Sequence, residues 1–459
     1  QNYKRDEAQI ALLDFTSKVL NSGMQRRNFM MGLAGAGAIL PVTGIGAIIS
    51  GNDTYQKADP GPALLFFKSE PNEFAFLNVL GKAHYKFADI GELLAIRTLI
   101  DENSPSTFVN AYLKFADNCK KVADDCKKNG QLISARDAYA RASTYYYAAM
   151  DYLDASLQAN RFKELFLIHR DCWKEAVQLM DFNYEEFSIP YEGTSLAGFF
   201  ISHKDKKPRP LCIFNNGSDG SIVDVITYGG SGFFERGYNI VTFDGPGQGS
   251  SLFEKNMYFR YDWEKVITPV VDSVIHRKDV DKNNMVLIGI SQAGYWVPRA
   301  AAFEKRIKAI IADPGVVDVS TSWLNHLPAP LVSLLKSGQK EQFNNYLEQG
   351  MKQFPGATAT FAFRARPYGK TNPFDTYTEV FKYNLNGVAD KIECAVIIPS
   401  PENESFWPGQ SQALYDMVKS KKILIPFTAA EGGNYHCEPK ARILWEQKVL
   451  DSLDEIMKG

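Results

Sequence analysis

The spacing of apolar residues divides the chain into two parts. From about residue 70 to 182 apolar positions recur every three or four residues, the period of one helix face. The stretch 131–150 combines good helix formers with that spacing and contains no proline, and Asn129-Gly130 stands before it as a break. Near Tyr184 the period changes. Segments 187–191 and 196–201 read as strands joined by a turn at Glu192-Gly193. Short apolar runs follow at 211–214, 239–243, 285–290, 307–312, 395–398 and 423–427, separated by amphipathic stretches such as 261–276 and 408–419. Strands alternating with helices predict an α/β fold, a mostly parallel sheet covered on both faces. The stretch at about 316–388 interrupts the alternation and is expected to be an insertion over the C-terminal edge of the sheet, where such folds bind ligands. The expected divisions are an N-terminal segment 1–60, a helical cap domain 61–183 and an α/β domain 184–459.

The strand at 285–290 runs into Ser291-Gln292-Ala293-Gly294 and then a helical stretch. Gly289 and Ala293 flank Ser291 at two residues on either side, the Gly-x-Ser-x-small pattern of a strand-to-helix turn that lifts a serine hydroxyl above a sheet. A free hydroxyl is a poor nucleophile near neutral pH and needs a base. Of the six histidines, His84 and His169 fall in helical segments, His203 near a strand end, His276 near a helix end and His326 in the insertion. His436 follows the last strand in a glycine-containing loop, Gly432-Gly433-Asn434-Tyr435-His436, and is the candidate base.

An acid after the penultimate strand should hold that imidazole. The segment there, Pro401-Glu402-Asn403-Glu404, contains no aspartate; Glu404 is the first choice and Glu402 the second. The loop Asn215-Asn216-Gly217-Ser218-Asp219-Gly220 follows the third strand. Its Ser218 N–H, with the Gln292 N–H, is the expected oxyanion hole, and Asp219 is expected to be a turn or cap residue. Trp323, His326 and Trp407 are candidate pocket residues, and Asp318 or a tyrosine of the helical domain is a weaker candidate for tuning the chemistry.

The 459 residues suffice for two cores, and 45% apolar with 23% charged residues is ordinary globular composition. A net charge of −2 with dispersed basic residues argues against nucleic acid and for a small-molecule substrate. Six cysteines form no CxxC pair and no metal-ligand spacing, so no metal is expected, and a serine, histidine and acid need no cofactor. Gln25-Arg26-Arg27-Asn28-Phe29-Met30, followed by an uncharged apolar run at 31–50, resembles a twin-arginine export signal. The expected location is therefore periplasmic or exported; the alternative is a packed apolar helix in a cytoplasmic protein.

Phe243-Asp244-Gly245-Pro246-Gly247-Gln248-Gly249, the Asn-Gly-Ser-Asp-Gly loop, the Ser291 turn, Arg299-Ala300-Ala301 and Arg306-Ile307-Lys308-Ala309 together resemble the FrsA-like α/β-hydrolase group. That group includes dihydropseudooxynicotine hydrolase and the yellowish-green polyketide-shortening hydrolases, and the resemblance extends from about residue 70 to the C-terminus. It implies the α/β-hydrolase fold, Ser291 and His436 in a triad, and cleavage of an ester or of a carbon–carbon bond beside a ketone. The group's acid is usually aspartate in the segment before Phe406-Trp407-Pro408-Gly409-Gln410, and Glu404 stands at the matching place. A homodimer through the helical domain is expected. Acyl transfer on the same fold and a non-catalytic interaction protein are the competing functions. A prolyl-oligopeptidase-type peptidase is disfavoured, because the preceding region is helical rather than a run of short propeller strands.

Overall fold

The computed structural model describes residues 64–458, and the export-like segment at 25–50 lies outside the described residues. Five helices come first: α1 (Glu70–Leu80), α2 (Ile90–Thr98), α3 (Pro105–Lys128), α4 (Leu132–Met150) and α5 (Phe162–Gln178). Helix α3 stops at Asn129, and Gly130 turns the chain with φ +75°, a left-handed conformation that glycine adopts at little cost. Helix α4 is buried on most sides. Its Ala138, Ala142 and Ala149 allow close approach of α3 and α5. Three of its tyrosine hydroxyls donate to a neighbouring carboxylate: Tyr139 to Asp124 at 2.6 Å, Tyr145 to Glu92 at 2.7 Å and Tyr146 to Asp117 at 2.5 Å. A buried hydroxyl left unpaired would cost about 1–3 kcal/mol.

The eight strands are β1 (Asn183–Tyr191), β2 (Thr194–Ser202), β3 (Arg209–Asn215), β4 (Asn239–Phe243), β5 (Val280–Ile290), β6 (Ala309–Asp313), β7 (Ala395–Pro401) and β8 (Lys422–Phe427). They form one sheet in the order β1-β2-β4-β3-β5-β6-β7-β8. The first two pairings are antiparallel and the rest parallel. Strand β5 shows why its run is apolar throughout. Val286, Ile288 and Ile290 face a core shared with α1–α5 and the C-terminal helix Arg442–Lys458, while Met285 and Leu287 face a second core containing Trp263 and Trp296. Between β6 and β7 the chain forms helices rather than strands, among them Ala329–Lys336, Lys340–Gln353 and Pro373–Val380, gathered around Phe343, Leu347 and Tyr377.

From β3 the chain passes to β4 on one side, and β5 then lies on the other side of β3. The loops after β3 and β5 diverge there and leave a crevice at the carboxyl ends of the strands.

Candidate active site

Ser291 lies one residue beyond β5 with φ +60°. A non-glycine residue in that region stores about 1–3 kcal/mol of strain and persists only when its surroundings hold it. Here its N–H donates to the Asp313 carbonyl at the end of β6, 2.6 Å away. A Cβ on Gly289 would lie 2.4 Å from the Ala293 carbonyl oxygen and 2.6 Å from Val297 Cγ2. Only glycine therefore lets the helix Ala293–Ala301 pack this closely on β5 and turn the serine outward.

The structure brings Ser291, His436 and Glu404 into one hydrogen-bonded line. His436 Nε2 is 2.9 Å from Ser291 Oγ, and Nδ1 is 2.7 Å from Glu404 Oε2. With Nδ1–H directed at the carboxylate, Nε2 is left to accept the serine proton. Glu404 Oε1 accepts the Phe406 and Trp407 N–H groups at 2.8 and 3.0 Å. Burial acts to raise the Glu404 pKa. The attraction of His436, their hydrogen bond and the two backbone donors outweigh it and hold the carboxyl below its usual range. Glu402 does not reach the histidine; its side chain accepts the Ala429 N–H at 2.6 Å, and its carbonyl accepts the Tyr435 N–H at 2.9 Å.

The loop that carries His436 is tightly wound, with Tyr435, Cys437 and Glu438 all at positive φ. The Cys437 thiol donates to the same Asp313 carbonyl at 3.3 Å, so β6 anchors both the serine turn and the histidine loop. Burial pushes the Cys437 thiol well above its usual range, which makes it an inert packing group. The rings of Phe406, Trp407 and Phe74 surround the imidazole at 4.5, 5.6 and 6.0 Å between centroids.

The glutamine of the Asp-Gly-Pro-Gly-Gln-Gly turn holds the loop after β3. Gln248 Nε2 donates to the carbonyls of Asn216 and Gly217, both at 2.7 Å. Gly217 is pressed against the nucleophile, and a Cβ there would be 2.8 Å from both Ile290 O and Ser291 Cβ. Among the described residues no protein acceptor is hydrogen-bonded to the N–H of Ser218 or of Gln292. Ser218 itself borders a recess of about 40 Å³, whereas Gly217 and Ser291 border the main cavity of about 150 Å³.

Trp407 lines that cavity as expected; Trp323 and His326 do not. Trp323 stands edge-on to Tyr368 and Tyr377 at 5.5 and 5.3 Å. His326 is held neutral by burial and by Arg364, with its pKa lowered to about 4. The segment between β6 and β7 has enough apolar residues to build its own core, and Trp323 packs against that core rather than on the cavity wall. Its Phe363 and Arg364 still reach the wall, and the rest of the ceiling comes from α1 and α4 through Phe74, Asn78, Tyr147 and Asp151. Asp219 is not a helix cap: it faces the cavity and pairs with Arg364 at 3.8 Å. Asp318 accepts from the Ser320 N–H and hydroxyl, a local turn outside the cavity. Tyr147 is a tyrosine of the helical domain on the cavity wall, and Asp151 at the C-cap of α4 carries no motif by which the sequence could have marked it.

No family model matches the chain. The hydrolase LUC6 of Fusarium sp is 29% identical over 409 residues, covering 85% of this chain and 97% of that protein. The 20-hydroxy-prefusarin hydrolase FUS2 of Gibberella moniliformis is 25% identical over 406 residues, covering 84% of this chain and 97% of its own. Among solved structures, 2,6-dihydroxy-pseudo-oxynicotine hydrolase superposes with a TM-score of 0.62 at 16% identity, over 82% of this chain and 95% of that one. At that identity the likeness establishes a shared fold.

Proposed function

We propose that this chain, an α/β-hydrolase related to 2,6-dihydroxy-pseudo-oxynicotine hydrolase and to the fungal hydrolases LUC6, poxO and FUS2, uses Ser291 to cleave an ester, or a carbon–carbon bond beside a ketone, in a small aromatic or apolar molecule. The observation that carries this reading is the unbroken Ser291–His436–Glu404 line at the wall of an apolar cavity.

Ser291 Oγ attacks the substrate carbonyl as His436 Nε2 takes its proton. The negative charge moves to the carbonyl oxygen, where the N–H groups of Gln292 and Ser218 receive it, the Gly217 N–H being already donated to Asn216 Oδ1 at 2.9 Å; losing one such donor costs about 3 kcal/mol. Glu404 stabilises the imidazolium without becoming protonated. The imidazolium then protonates the leaving group, an alkoxide in an ester or an enolate in a β-diketone, and an acyl-enzyme is left. Water, deprotonated by the same nitrogen, attacks the acyl carbon, and the collapse releases a carboxylic acid and the free serine. Phe74, Phe406 and Trp407 around the imidazole favour an aromatic or apolar acyl group and exclude bulk water.

The test is turnover of p-nitrophenyl esters and of aryl β-diketones by the wild type and by Ser291→Ala. Turnover in the wild type and none in the variant is expected. Equal activity in both would remove Ser291 from the mechanism. Ester turnover without diketone turnover would narrow the reading to a carboxylesterase.

A further inference from the structure

We propose that Asp151 recognises a neutral oxygen substituent on the substrate, a keto, enol or phenol group remote from the bond that breaks, by presenting its carboxyl as a hydrogen-bond donor. The inference rests on the hydrolase reading and adds the substrate class: uncharged, oxygenated aromatic molecules, with carboxylates excluded.

Asp151 caps the C-terminal end of α4 and lines the cavity that Ser291 and His436 also line. Its carboxyl makes no hydrogen bond or ion pair among the described residues. Every charged neighbour on this wall is already matched. Lys82 is bonded to Asp224, and Asp219 is paired with Arg364. The Tyr147 hydroxyl donates to the carbonyls of Asp219 and Gly220, each at 3.0 Å, and the Tyr228 hydroxyl donates to Asn78. Asp151 is half-buried and open to the cavity, so a molecule seated there can supply the partner that the protein does not.

The state of that carboxyl follows from its surroundings. Burial is the largest influence; with the negative charges of Asp219 and Asp224, against the opposing pull of Lys82, it lifts the Asp151 pKa to about 8. Near neutral pH the group is therefore mostly protonated, with one O–H to donate and one oxygen to accept. With Asp151 neutral, the two cations Lys82 and Arg364 balance the two anions Asp219 and Asp224. A substrate carboxylate would find no unmatched cation there and would meet a wall of acids. A ketone or phenol would satisfy the Asp151 proton with no charge buried. The groups that face Asp151 from other elements are Lys82, Asp219, Asp224, Tyr112 and Tyr152, with Tyr147 on its own helix. Burial raises all three tyrosines well beyond the range in which Asp151 titrates.

The test uses aryl esters and aryl diketones in matched sets that differ only in a remote substituent: acetyl, which can only accept a hydrogen bond, isopropyl, carboxylate or ammonium. The wild type is expected to prefer acetyl over isopropyl in kcat/KM by about tenfold or more, and to lose that preference above about pH 8, because an ionised Asp151 has no proton to give to an acceptor-only ketone. Asp151→Asn keeps a donor that does not ionise, so its preference should persist through that pH range. In Asp151→Leu the acetyl-to-isopropyl ratio should fall to about one. An unchanged ratio in Asp151→Leu, or a wild-type preference for carboxylate, overturns the proposal. A preference for ammonium that Asp151→Asn loses overturns it too, because Asp151 would then act as an anion. If Asp151→Leu does not fold, the wild-type and Asp151→Asn pH profiles decide alone. Fluorophosphonate labelling of wild-type Ser291 keeps the two readings apart. An unlabelled, inactive wild type defeats the hydrolase reading, while a labelled, active enzyme that ignores the substituent defeats only the role of Asp151.

Discussion

The cavity has two walls built on different principles. On the sheet wall every reacting group sits close to the end of a strand: Ser291 after β5, the 216–218 loop after β3, Glu404 after β7 and His436 after β8. Backbone hydrogen bonds to Asp313 and Glu402, together with the Gln248 side chain, hold these loops. The helical wall consists of side chains projecting from α1 and α4 and from the turn after α1, including Phe74, Lys82, Tyr147 and Asp151. The sheet wall is stiff because strain and close backbone approach leave few alternatives. The helical wall can change its lining by single substitutions without disturbing the chemistry opposite. On the proposed mechanism, reaction type belongs to the first wall and substrate choice to the second.

Substitutions on the two walls should separate in kind as well as size. The largest effect is expected from Ser291→Ala, a loss of about 10⁴-fold or more in kcat with folding retained, measured by steady-state kinetics beside circular dichroism. Next comes a comparison of the two glutamates. Glu404→Gln should lower kcat by about 10³–10⁴-fold by favouring the wrong imidazole tautomer. Glu402→Gln should change kcat by less than about tenfold, since it loses only a loop hydrogen bond. Equal losses in the two variants would undo the assignment of Glu404.

Gln248→Leu removes both supports of the 216–217 carbonyls. It should lower kcat by about 10–100-fold with little change in KM, because the oxyanion donors are needed most in the transition state. On the opposite wall, Phe74→Ala should do the reverse, raising KM for aryl substrates by about tenfold while kcat changes less. A kcat effect larger than the KM effect in Phe74→Ala would dissolve the division between the walls.

The smallest effect concerns acid stability. His169 is buried between α4 and α5, with Nδ1 2.9 Å from the Ser143 hydroxyl, and burial lowers its pKa from 6.5 to about 4. The unfolded chain then takes up the proton first. The stability this group contributes is complete above about pH 6.5 and is lost as pH falls toward 4. Melting temperatures measured from pH 7 to 5 should fall less steeply for His169→Gln than for the wild type. Parallel curves would show that the helical wall does not owe its acid sensitivity to His169.

The eight strands and the nucleophile turn were legible in the amino-acid order because each depends on local patterning: apolar runs of strand length, and small residues on either side of Ser291. His436 followed from the scarcity of histidines and its place after the last strand. Choosing Glu404 over Glu402 needed the structure, since the two lie two residues apart and only loop geometry decides which one reaches the imidazole. The placements of Gln248, Asp219 and Asp151 at the cavity also had to come from the tertiary structure. Each depends on a contact between segments far apart in the chain, and local periodicity carries no record of such pairings. Trp323 and His326 make the same point in the opposite direction. Proximity in sequence to the crevice placed them in the pocket, but neither lines it, and Trp323 instead packs on the core that the helices form around Phe343. The sequence thus determined where the reacting groups stand along each strand, because strand ends and tight turns are local. Packing between distant helices and loops alone decided what encloses the substrate.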